Sequence, residues 1–229
     1  MSVTTTVRRA VCSALPAVVF LLLPALAAGQ AVPTEHAAEH LHGDPRAYKA
    51  ALDDPARDAW QKPHEVVSAL DLAQGDTVAD IGAGTGYFSL RFARHVGPSG
   101  KVYAVDLSPD MVAELKTRAA AAGLGNVVPV QAGATDPRLP AGEVDVVFFC
   151  NVWHHIEARG EYLATLKPSL SAGGRLVIVD FHKDAPMGPP ASMKLTREEV
   201  VAELESAGFA LRQEHTFLPH QYFLVFTHQ

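Results

Sequence analysis

From residue 62 onward, short apolar runs alternate with segments of helical period, and few folds accommodate that pattern. Lys62–Leu72 reads as a helix with Pro63 in its first turn, where a missing N–H costs nothing. Thr77–Ile81 reads as a short buried strand. Tyr87–Val96 reads as a helix with Phe88, Phe92 and Val96 on one face. Lys101–Val105 is the next strand. Ser108 is placed to cap the following helix, with Pro109 at its first position and Asp110 in its first turn. That helix runs to about Ala122, and Gly123 closes it. Val127–Val130 and Val144–Phe149 are strands, the second almost wholly apolar, as expected of a strand buried on both faces. Glu161–Leu170 is helical, Gly173-Gly174 follows, and Arg175–Asp180 is a strand. Thr196 and Glu199 form a capping box at the start of a helix that ends near Ala207, before Gly208. Ala210–His215 and Tyr222–Thr227 have no helix between them and read as an antiparallel hairpin. The fold class expected is α/β, a doubly wound parallel sheet with a terminal hairpin.

The segment ahead of this alternation is different. Residues 10–28 carry no charge, Arg8 and Arg9 precede them, and Ala25-Leu26-Ala27 and Gly29-Gln30-Ala31 offer small-residue cut sites. That is the layout of a secretory signal peptide over residues 1–31, and it implies a periplasmic or secreted body. Left uncleaved, the same run would anchor the N-terminus in a membrane. Arg8-Arg9 also raises a twin-arginine route, although its flanks match that consensus poorly. Residues 32–54 read as a linker and N-terminal extension, and 55–229 as the functional domain. His36-Ala-Ala-Glu39-His40 has the spacing of a zinc motif, but no apolar stripe packs it, so it reads as solvated linker and no metal site is expected. Net charge is −6, and −8 once Arg8 and Arg9 leave with the leader. An acidic body is poorly suited to gripping phosphate backbones, which argues against nucleic-acid substrates. Of the two cysteines, Cys12 lies in the leader and Cys150 in the body, so the mature domain has no internal disulfide.

Val78-Ala-Asp80-Ile-Gly82-Ala-Gly84-Thr-Gly86-Tyr-Phe88 joins a strand to a helix. Glycines there let backbone approach a ligand and point helix N–H groups at it. The dinucleotide pattern G-x-G-x-x-G is not met: the third glycine arrives one residue early, at Gly86. Asp80 would repel a pyrophosphate but suits a ligand with a positive amino group. Asp106 ends the second strand, where a carboxylate accepts from ribose hydroxyls, and Leu107 beside it can cover an adenine face. A ribose, an adenine and a cationic amino-acid tail together describe S-adenosylmethionine. The candidate cofactor residues are Asp80, Gly82, Ala83, Gly84, Thr85, Gly86, Asp106 and Leu107, with Thr135 or Asp136 near the adenine and Asn151 bordering the cofactor.

These segments, with VYAVDLSPDM (102–111), LPAGEVDVVFFCNVWHHI (139–156) and LKPSLSAGGRLVIVDF (166–181), resemble the class I S-adenosylmethionine-dependent methyltransferases over about residues 55–229. The NVWHHI run is similar to the small-molecule branch that includes ubiquinone/menaquinone-type enzymes. The resemblance implies a Rossmann-like, seven-stranded sheet of order 3-2-1-4-5-7-6 with strand 7 antiparallel. It also implies S-adenosylmethionine as cofactor and a small-molecule methyl acceptor. The sequence departs from the family where an acidic residue usually follows strand 3: here it reads Gln131-Ala-Gly-Ala-Thr-Asp136.

Methyl transfer needs a base only when the acceptor is protonated at working pH. His154 and His155 are the candidates, with a packing role in the turn after strand 4 as the alternative. Asp180-Phe-His-Lys183 and Tyr87 add polar groups to the same rim, and Lys183–Lys194 reads as a loop over its mouth. A non-catalytic nucleoside-binding protein on the same fold remains the competing reading. A nucleotide-dependent oxidoreductase is disfavoured by the Gly86 spacing.

Overall fold

The computed structural model describes residues 1–2 and 45–228. The leader, Cys12 and the histidines of the 36–42 segment lie outside the described residues. Among the described residues three short helices precede the sheet: α1 (Pro45–Leu52), α2 (Arg57–Gln61) and α3 (Pro63–Ala69). Lys62, between α2 and α3, sits in the left-handed region at φ 46°. Pro63 then opens α3 at its first position, as the sequence reading of a helix from Lys62 expects, while the preceding turn of helix, α2, carries no such signal. The segment read as linker thus contains the helix α1.

The strands follow as β1 (Thr77–Ile81), β2 (Lys101–Asp106), β3 (Val127–Gln131), β4 (Val144–Cys150), β5 (Leu170–Phe181), β6 (Phe209–His215) and β7 (Gln221–His228). Among the described residues they form one sheet of order β3-β2-β1-β4-β5-β7-β6. β7 runs antiparallel to both β5 and β6 and the other pairings are parallel, as the resemblance implies. β5 begins earlier than expected because it runs through Gly173-Gly174, with a register irregularity opposite Val144–Val146. A Cβ at Gly174 would press on the Val144 carbonyl at 2.9 Å, so glycine allows the strands to stay in contact.

The intervening helices are α4 (Ser89–Val96), α5 (Pro109–Ala121), α6 (Arg159–Leu166) and α7 (Arg197–Ser206), with a 3₁₀ turn at Trp153–His155. Ser108 Oγ accepts from the Met111 N–H at 3.4 Å, and Thr196 and Glu199 close the capping box. Strand side chains alternate between the two faces of the sheet. Val78, Phe148, Cys150, Val177 and Val179 pack under α3, α4 and α5. Ala79, Ile81, Phe149, Leu176 and Ile178 pack against Trp153, α6 and α7. This parity decides which polar side chains at the strand ends reach the site.

Candidate functional site

At the carboxyl ends of β1 and β4 lies a cavity of about 450 Å³. Its floor is Asp80, Gly82, Ala83, Gly84, Thr85, Cys150 and Asn151, and Trp60, Phe181 and Met187 supply apolar wall. The position follows from topology: β1 and β4 are sheet neighbours whose crossovers run in opposite directions, so their loops diverge and open a crevice. Gly82, Gly84 and Gly86 have φ of +67°, +54° and +91°, a region costly for other residues. A Cβ on Gly82 would run into the Val152 methyls, and one on Gly84 would meet Leu52 at 3.1 Å. Gly86 is different. It does not line the cavity, and a Cβ there would meet Leu115 of α5 at 2.8 Å, so it serves close packing of the loop on that helix.

Asp80 has the parity of Val78 and faces the α4 side. It is buried and accepts from the Ser89 hydroxyl at 2.5 Å. Burial pushes its carboxyl up to about 7, against the pull of Ser89 and of the nearby Arg57 charge. Asp106 accepts from the Gly84 N–H at 2.8 Å and the Ser108 N–H at 2.9 Å, which leaves further lone pairs on each oxygen. Burial raises its carboxyl as well, opposed by those backbone donors. It therefore joins the glycine turn to the end of β2 as well as offering an acceptor for hydroxyls. Leu107 is exposed to 44%, an unusual position for a large apolar side chain. Asp106 and Leu107 flank the cavity without lining it, Asp106 being tied to it through the Gly84 N–H; Thr135 and Asp136 do not line it either, and there the Thr165 hydroxyl donates to the Thr135 carbonyl and Asp136 Oδ1 accepts from the Arg138 N–H.

Asn151 borders the cavity with φ 59°, a left-handed conformation in a non-glycine residue. Three carboxamides hold it there in a closed ring. Gln61 Nε2 donates to Gln221 Oε1 (2.8 Å), Gln221 Nε2 to Asn151 Oδ1 (2.5 Å), and Asn151 Nδ2 to Gln61 Oε1 (3.3 Å). The ring ties α2, the turn after β4 and the start of β7 together.

The two histidines are placed elsewhere. Asp180 has the parity of Leu176 and Ile178, so it points to the α6–α7 side, away from Asp80 and Cys150. There the His154 Nδ1–H donates to its carboxylate at 2.9 Å, with both side chains 3% exposed. The His154 and Phe181 backbone N–H groups donate to it too, at 3.3 and 2.8 Å. His155 lies 4.1 Å from the His154 ring, and neither histidine lines the cavity. Cys150 does line it, but burial pushes its thiol up to about 12, so it is not a thiolate nucleophile.

Sequence reasoning missed Arg57, the first residue of α2. It is 9% exposed and lines the cavity. Its Nη1 donates to the Leu52 carbonyl (3.2 Å) and its Nη2 to Gln61 Oε1 (3.4 Å). Its guanidinium lies 3.9 Å from the Tyr87 ring centroid, and Arg91 covers the same ring at 4.1 Å. Tyr87 in turn donates to Asp58 of α2. Asp53, at the end of α1, accepts from Thr85 of the glycine turn (2.7 Å) and from Arg118 (2.9 and 2.6 Å). Despite partial burial, those donors hold the Asp53 carboxyl below its ordinary value. The N-terminal segment is therefore bound to the glycine turn at several points. A lone arginine on a short polar helix gives no periodic signal, so the sequence carries no warning of this.

Residues 78–174 match the family model described as a methyltransferase domain, and the seven-stranded sheet is the methyltransferase fold. Among relatives, the chain is 38% identical over 117 residues to the ubiquinone/menaquinone biosynthesis C-methyltransferase UbiE of Pseudomonas putida (strain GB-1). That match covers 49% of this chain and 44% of the relative, so it spans less than half of the relative's length. A S-adenosylmethionine-dependent methyltransferase from Aquifex aeolicus superposes with a TM-score of 0.76 at 28% identity, over 81% of this chain and 98% of that one. The [4+2]-cyclase SpnF shares the fold at 16% identity and a TM-score of 0.63, over 74% of this chain and 80% of its own.

Proposed function

We propose that this chain is a S-adenosylmethionine-dependent methyltransferase acting on a small molecule. One observation carries the reading: a single cavity joins the glycine turn and the buried Asp80 to an apolar mouth of Trp60, Phe181 and Met187. The residues fit the cofactor. Asp80 is a buried carboxyl hydrogen-bonded to a neutral hydroxyl and held near 7, and a cationic amino group is the partner that would draw it down. Asp106 would take the ribose hydroxyls, and the exposed Leu107 would cover the adenine. When bound, S-adenosylmethionine supplies a methyl group already activated on a sulfonium.

The protein's share of the chemistry is positioning. The apolar wall excludes water, and the carboxamide ring fixes Asn151 as a polar contact beside the acceptor's space. Holding reactants in line at about 3–3.5 Å supplies roughly 7–11 kcal/mol of rate enhancement without a base. With no imidazole lining the cavity among the described residues, the acceptor best suited to it is one already deprotonated at working pH. Export belongs to the same proposal and rests on the signal-like residues 1–31. A fusion of residues 1–35 to a reporter active only outside the cytosol should be active, and an inactive fusion refutes export.

Binding without turnover is the second reading, favoured by the absence of both histidines from the cavity wall. The test is incubation of the purified protein with methyl-labelled S-adenosylmethionine and a cell-envelope extract. Label in a small-molecule product supports the enzyme. Cofactor binding with no transfer supports the second reading.

A further inference from the structure

Among the described residues, three buried polar side-chain atoms have no hydrogen-bond partner: Arg57 Nε, His215 Nε2 and Tyr222 Oη. Arg57 alone of these residues lines the cavity. An unsatisfied donor on a buried cation is costly, and in a cavity it is open to an acceptor that enters with a ligand. The rest of the guanidinium is fixed. Two protein acceptors hold its Nη atoms, and the Tyr87 ring covers its face at 3.9 Å. Asp80 at the end of β1 and Cys150 at the end of β4 line the same cavity, and the Arg57 charge acts on both. A rigid cation and a buried carboxyl thus share one small space of about 450 Å³. That pair of signs matches a zwitterion.

We propose that Arg57 is the carboxylate anchor of this cavity, holding the α-carboxylate of the cofactor's amino-acid tail while Asp80 takes the ammonium. The inference rests on the S-adenosylmethionine reading above. An acidic methyl acceptor could supply the same carboxylate. The cofactor is the better source because Asp80 would repel an acceptor bearing only negative charge, whereas it complements the ammonium of the tail. Arg57 is also braced on Tyr87, the residue that follows Gly86 in the glycine turn. The tail is then gripped from the N-terminal segment, which lies outside the matched residues 78–174.

The test is calorimetric titration of the purified full-length protein with three nucleosides: S-adenosylhomocysteine, its decarboxylated analogue, and 5′-methylthioadenosine, which lacks the amino-acid tail. In the wild type, the decarboxylated analogue should bind roughly 10- to 100-fold more weakly than S-adenosylhomocysteine, the worth of a charge-assisted hydrogen bond. Arg57→Gln should erase that preference and leave 5′-methylthioadenosine binding unchanged. Arg57→Lys should restore part of the preference. Equal wild-type affinity for S-adenosylhomocysteine and its decarboxylated analogue overturns the proposal without recourse to a variant. So does an Arg57→Gln protein that keeps the preference, and a raised KM for an acidic acceptor in that variant would assign Arg57 to the acceptor. A wild type that binds none of the three refutes the cofactor reading itself.

Discussion

Asp80 links the stability of this protein to its ligand site, and Asp80→Asn measures the link. The unfolded carboxyl loses its proton near 3.8, while the folded one keeps it to about 7. Between those values the folded state holds a proton that the unfolded state has released, so stability falls as pH rises. Above about 7 both states are ionised and the full cost of a buried carboxylate is present. A gap of about three pH units corresponds to about 4 kcal/mol at 1.36 kcal/mol per unit. Asparagine has the same shape, keeps an acceptor for the Ser89 hydroxyl and carries no charge. Urea unfolding at pH 4, 6 and 8 should therefore show the difference, variant minus wild type, growing by about 4 kcal/mol across that range. Affinity for S-adenosylhomocysteine should rise with pH through 7 in the wild type, as Asp80 ionises to meet the ammonium, and stay flat in the variant. Parallel stability curves for the two proteins would refute the reasoning.

Other outcomes follow from the same geometry. Gly86→Ala should lower stability by roughly 2–4 kcal/mol, from positive φ and pressure on Leu115, yet leave S-adenosylhomocysteine affinity within a few-fold; a large loss of affinity would return Gly86 to the binding set. Asp180→Ala leaves the His154 imidazole and two backbone N–H groups without their acceptor, and should cost about 3 kcal/mol or more by denaturant unfolding. Cys150 should resist thiol reagents in the native protein and react on unfolding, as followed by peptide mapping; rapid native labelling would contradict its buried, strongly protonated state.

The sheet was legible because its signals are local. Apolar runs mark β1, β2 and β4, and Ser108, Thr196 and Glu199 mark helix starts through short-range hydrogen bonds. The glycine turn was legible for the same reason, since positive φ writes itself into the sequence as glycine. Gly86 was harder, because a glycine for ligand approach and a glycine for Leu115 look identical in sequence. Gln61, Asn151 and Gln221 were out of reach: their ring joins residues up to 160 positions apart, and nothing local marks a carboxamide as a partner. Arg57 was hidden in the same way. The placement of the histidines was not legible, because proximity in sequence to β4 does not fix a face. The parity of Asp180 on β5 draws His154 to the far side of the sheet.

The most direct test of the account is the stoichiometry and affinity of S-adenosylhomocysteine for the wild type and Asp106→Ala, with folding of the variant checked by circular dichroism. Asp106 holds the glycine turn and, on the proposed reading, would offer the ribose its acceptors, so one ligand should bind per wild-type chain, with a loss of at least tenfold in the folded variant. A wild type that binds no S-adenosylhomocysteine, or a folded Asp106→Ala protein that binds it as tightly, would contradict the account.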